Sequence, residues 1–116
     1  MYETLGKVTI ALTVLTTIVR LTTLDQRGVH ALAPCPPKVS GLLAGGATEE
    51  GTFVEVTDEG VLVDVHIVAD SGTNMLKLGE ALQTRITRAI EEMVGMPVAA
   101  VNVYIDSVAL LPEAAA

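Results

Sequence analysis

The chain has 116 residues, with 14 acidic and seven basic side chains, a net charge of −7 and one cysteine. That length is one domain, able to bury a core without disulfides or metal. The acidic balance argues against the phosphate-neutralising patch of a nucleic-acid binder and against electrostatic docking on anionic lipid. A lone Cys35 cannot close an intramolecular disulfide and suits a cytoplasmic setting.

In chain order, Lys7 to Ala11 reads as a short strand, and Leu12, Leu15, Ile18, Val19 and Leu24 mark a first helix weakened by β-branched threonines. The apolar run Val8 to Leu24 imitates a membrane anchor or signal peptide. It contains Arg20 and a series of threonines and sits at the short limit of a spanning length, so a soluble strand and helix is the preferred reading, with no direct membrane insertion. Ala31–Cys35 imitates a lipoprotein cleavage site, but Pro34 occupies a position that requires a small residue. Gly28 ends the helix, and prolines 34, 36 and 37 with glycines 41, 45 and 46 make an irregular connection over about 34–51.

Thr52 to Thr57 is a strand, Asp58-Glu59-Gly60 a tight turn, and Val61 to Ala69 the returning partner of a hairpin. Ser71, Thr73 or Asn74 caps a second helix whose stripe is Met75, Leu78, Leu82, Ile86, Ile90 and Met93. Gly95 closes it in a left-handed conformation and Pro97 forbids its continuation. Val98 to Val108 then switches to a period of two, with Val101, Val103 and Ile105 on one side and Asn102, Tyr104 and Asp106 on the other. The order is β-α-β-β-α-β. It predicts an α+β two-layer sandwich, a single domain over 1–116 with two helices packed on one face of a small sheet.

Few residues carry chemistry. Val61, Val63, Val65 and Ile67 form the core side of the central strand, leaving Leu62, Asp64, His66, Val68 and Asp70 opposite. Asp64, His66 and Asp106 are weak candidates for a metal or a small enzymatic site. No pair has metal-ligand spacing, and alternation alone places polar groups on a solvated sheet face, so no metal, cofactor or catalytic residue is assigned. Cys35 lacks a basic neighbour to activate it, His30 reads as a loop residue, and the Gly41–Gly46 run lacks the lysine of a phosphate loop. Gly72-Thr73-Asn74 is explained by helix capping before anion binding. A K-homology-like RNA module is the alternative architecture, but it needs a GXXG loop and basic surroundings that this chain lacks. The candidate interaction surface is Leu62, His66, Val68, Asn102, Tyr104 and Asp106, which fits a protein partner or self-association into a homo-oligomer.

The order of short motifs adds a family resemblance. Gly6-Lys7-Val8-Thr9-Ile10, Gly28-Val29, Val63-Asp64-Val65-His66-Ile67-Val68, Gly72-Thr73-Asn74, Glu91-Glu92-Met93-Val94-Gly95 and Val101-Asn102-Val103-Tyr104-Ile105 together resemble the alkaline shock protein family, the general-stress or envelope stress response proteins of bacteria. The pattern departs at Leu76, at Asp25-Gln26-Arg27 and in the threonine-rich first helix. The resemblance implies a non-enzymatic cytoplasmic interaction or scaffold protein, placed near the membrane by a membrane-protein partner and tied to envelope homeostasis. It implies no active site.

Overall fold

The computed structural model describes residues 5–34 and 46–110. Cys35 and most of the glycine connection lie outside the described residues. Helix α1 (Leu12–Leu24) leads into strand β1 (Val29–Leu32); β2 (Gly46–Glu49), β3 (Thr52–Thr57) and β4 (Gly60–Asp70) follow. Helix α2 (Met75–Ala89), extended by a π-helical turn at Ile90–Val94, then delivers the chain to β5 (Val98–Ala109).

The α+β two-layer arrangement is the expected one, with both helices contributing to one core. Which segments form the strands differs at the N-terminus and in the connection. Among the described residues, Lys7 to Ala11 pairs with no strand, although its composition favours one. Strands β1 and β2, four residues each, instead come from segments that read as helix exit and irregular connection. Strands this short carry too few alternations to be distinguished from loop by period.

β4 is the axis of the sheet. Along one edge it runs parallel to β5 through its whole length, the crossover being α2. Along the other edge it pairs antiparallel first with β3, from Gly60 to Val65, and then with β1, from Ile67 to Ala69. β2 completes the sheet outside β3. At the junction where β1 succeeds β3, His66 N–H donates to the Gly51 carbonyl at 2.8 Å and Ala33 N–H donates to the His66 carbonyl at 2.9 Å. The central strand is therefore hydrogen-bonded across the break between its two neighbours.

One face of the sheet is closed by the helices. Val54, Val61, Val63, Val65, Ile67 and Ala69 from the strands meet Leu15 and Val19 of α1 and Leu78, Leu82 and Ile86 of α2, all buried. α1 follows its expected stripe through Leu12, Leu15, Ile18 and Val19 and departs from it at Leu24, which is exposed, while Thr16 and Thr23 are buried. Thr16 is accommodated by donating its hydroxyl to the Thr13 carbonyl at 3.0 Å, the usual way a helical threonine satisfies itself. α1 is also tied to the β2–β3 turn by Arg20, which bonds Glu49 at 2.8 Å and Glu50 at 3.2 Å. Among the described residues, no helix is long and apolar enough to cross a membrane.

The second helix follows its expected stripe as far as Ile90 and then leaves it. Met93 is 71% exposed, and Val94 packs against the core instead. The cause is the wide turn, in which Gly95 N–H reaches back five residues to the Ile90 carbonyl at 3.1 Å. A turn of more than 3.6 residues moves the inward position one residue along the chain.

At the other end, Asn74 is the cap, its side-chain oxygen accepting from Lys77 N–H at 3.0 Å. Replacing it with alanine leaves that donor orphaned, and Asn74→Ala is expected to lower the unfolding free energy by about 1 kcal/mol in urea titration.

Candidate functional site

Among the described residues no helix covers the opposite face of the sheet, which is built by register. Phe53, Asp64 and Asn102 lie abreast on β3, β4 and β5; His66 pairs with Tyr104, and Glu55 with Leu62. The residues expected from alternation, Leu62, His66, Val68, Asn102, Tyr104 and Asp106, do share this side. Leu62 and Val68 are half-buried, and Tyr104 is exposed.

The polar groups are paired across strands. His66 Nδ1 lies 2.8 Å from Asp106 Oδ2. An ionised carboxylate only accepts, so Nδ1 carries the hydrogen and donates. The His66 ring also stacks on Tyr104, with centroids 4.5 Å apart and planes 14° from parallel. Asn102 Nδ2 donates to Asp64 Oδ1 at 2.9 Å, and His30 Nδ1 lies 3.2 Å from Asp70 Oδ1.

Two of these pairs depend on bulges. Between Ile67–Ile105 and Val68–Ser107 the β5 strand carries one extra residue, and that residue is Asp106. Between Val29–Ala69 and Ala31–Val68 the extra residue is His30 on β1. A bulged residue leaves the ladder and is re-aimed. In each case its side chain meets a partner on β4, giving the His30–Asp70 and His66–Asp106 pairs.

Two features of this face were not legible in the sequence. His30 reads as a loop residue because β1 is too short to announce itself. Phe53 and Asp64, at 2% and 1% exposure, are buried on the side away from the helices, where alternation assigns solvent. Asp64 is thus a buried, hydrogen-bonded carboxylate and not part of an exposed acidic rim.

As chemistry, the arrangement favours recognition. Asp64 bonds Asn102 while Asp106 bonds His66, so the three weak metal candidates are engaged in separate pairs. Among the described residues, no three His, Cys, Asp or Glu side chains converge as a metal site requires. The carboxylate of Asp106 fixes the rotation and tautomer of His66, and Tyr104 covers one side of the ring. The stacked pair lies beside half-buried Val68 on this face, and Asp64 with Asn102 separates it from Leu62.

Known proteins share this sequence pattern. The family model of alkaline shock protein 23 (ASP23), described as having a cell envelope-related function, matches residues 1–110. A curated relative, the uncharacterized protein Spy1614 of Streptococcus pyogenes serotype M6, is 30% identical over 64 residues, which is 55% of this chain and 53% of that protein. The chain thus matches about half the length of that relative. No solved structure matches at a significant level.

Proposed function

The chain belongs to the ASP23 family, whose function is cell envelope-related, and from that premise we propose that it is a non-enzymatic envelope stress response protein. It acts as an interaction or scaffold protein in the cytoplasm, held beside the membrane by a membrane-protein partner. The docking surface is the part of this sheet face that carries His66 and Tyr104, beyond buried Phe53 and Asp64.

The single observation that carries this reading is the preorganised pair itself: a histidine locked by Asp106 and stacked on an exposed tyrosine, with Val68 next on the same side of β4. Charge supports the choice of partner. A chain of net charge −7 with Asp70 and Asp106 on this face is complementary to the lysine- and arginine-rich cytoplasmic segments that flank membrane helices.

The test is affinity capture from the native cell with the wild-type chain and with His66→Ala/Tyr104→Ala. The expected result is one envelope protein recovered by the wild type and lost by at least tenfold with the double variant, compared at a temperature where both chains are folded by circular dichroism. Equal recovery by both chains would remove the open face from the reading.

A further inference from the structure

A different surface points to self-association. β5 pairs on one side with β4 and, among the described residues, with no strand on its other side. Gln83 of α2 donates to the Val101 carbonyl at 3.1 Å, which sets that carbonyl on the outer edge. In a parallel pair the backbone groups alternate in direction, so those of Val103 and Ile105 face outward as well. Above this edge, between α2 and β5, runs an open, mostly apolar groove of about 450 Å³ lined by Met75, Leu76, Gly79, Val103 and Ile105 together with Glu80 and Gln83. Leu76 is 73% exposed, and nothing lies within 4 Å of where a Cβ on Gly79 would sit.

The same chain carries an unused strand. Residues 5–11 precede α1 without pairing to the sheet, and Leu5 and Val8 are 95% and 91% exposed. Their sequence, Leu-Gly-Lys-Val-Thr-Ile-Ala, is the β-branched pattern that reads as a strand. An unpaired β segment and an unpaired β edge are complementary needs.

We propose that residues 6–11 of one copy add as a strand to the outer edge of β5 in a second copy, with Val8 and Ile10 filling the α2–β5 groove. The period of two makes the match specific. With Val8 and Ile10 toward Met75, Val103 and Ile105, residues Lys7 and Thr9 emerge on the opposite side, where β5 presents Asn102, Tyr104 and Asp106. Apolar side chains then meet the groove, and the lysine meets a carboxylate. A second copy is the occupant because the arm leaves from α1, which packs over β1, β2 and β3, while α2 stands between α1 and β5. This assembly does not rest on the function proposed above: it is carried by the sheet edge and the groove, and reaches the face of the stacked pair only where Lys7 approaches Asp106.

The experiment uses the full chain. Sedimentation velocity from about 5 to 500 μM is expected to show the wild type passing from monomer to dimer or larger, and Val8→Asp remaining monomeric, with the two thermal midpoints equal at the lowest concentration, where both are monomers. Val8 is solvent-exposed, so this variant tests docking without touching the core. In parallel, Lys7→Cys/Asp106→Cys on a Cys35→Ser background is oxidised and weighed. A disulfide-linked species of twice the chain mass or more supports the exchange. A crosslink within one chain, no crosslink, a wild type monomeric throughout, or a Val8→Asp variant that still associates overturns it.

Discussion

Gly51→Ala is expected to be among the most damaging single-methyl additions this protein can receive, lowering the unfolding free energy by about 3 kcal/mol. Gly51 has φ +75°, and a Cβ there would lie 2.4 Å from the Ala33 carbonyl oxygen and 3.0 Å from that of His66. Both neighbours are backbone and belong to the hydrogen-bonded bridge over which β1 succeeds β3 beside β4. Relief requires the two edge strands to separate, which breaks that bridge. Gly95 supplies the control: its φ is +80°, yet no atom lies within 4 Å of where its methyl group would sit. Gly95→Ala therefore carries only the left-handed penalty, about 1 kcal/mol. Urea titration of the two variants separates conformational strain from the clash. Equal losses would mean that the junction yields freely.

The second large effect belongs to Leu82→Ala. Leu82 is fully buried at the middle of α2, over a sheet of valines with little aromatic bulk to collapse into a void. Truncating a leucine in such a site destabilises by about 2–5 kcal/mol, the transfer term of the lost methyl groups plus the cavity left behind. Leu76, on the same helix and 73% exposed, should change the stability of the monomer by no more than about 0.5 kcal/mol when made alanine. The pair of measurements tests whether the helix buries the face assigned to it. A large loss at Leu76 would show that its exposure is removed by association.

The part of the fold that was legible in the sequence is the part with long, regular period. The β3–β4 hairpin turns at Asp58-Glu59, α2 starts at its Asn74 cap and closes on Gly95, and β5 alternates as its side chains indicate. What was hidden depended on tertiary context. β1 and β2 are strands because β4 and β3 offer them an edge, and four residues give no period of their own. Lys7 to Ala11 has strand chemistry but no strand partner among the described residues, so local propensity goes unanswered there. Met93 left the apolar stripe because the last turn of the helix is wide, which no residue type announces.

The candidate site divides in the same way. Alternation correctly gathered His66, Asn102, Tyr104 and Asp106 on one face. It could not foresee that Asp106 and His30 are the extra residues of two bulges, or that each would meet a partner on β4. Nor does alternation separate a solvated carboxylate from a buried one, and Asp64 is the buried kind.

If the open sheet face, and not the helical face, meets an envelope protein, a partner must come within bonding distance of Tyr104 in the cell. A photo-crosslinking amino acid is installed at position 104 or, as the opposite-face control, at position 84 on exposed Thr84 of α2. Crosslinking is then triggered in living cells and the adducts identified by mass spectrometry. The expected adduct is a membrane protein with a basic cytoplasmic segment, joined to position 104 and absent from position 84. The same adducts from both positions, or adducts from position 84 alone, would contradict docking through the open face.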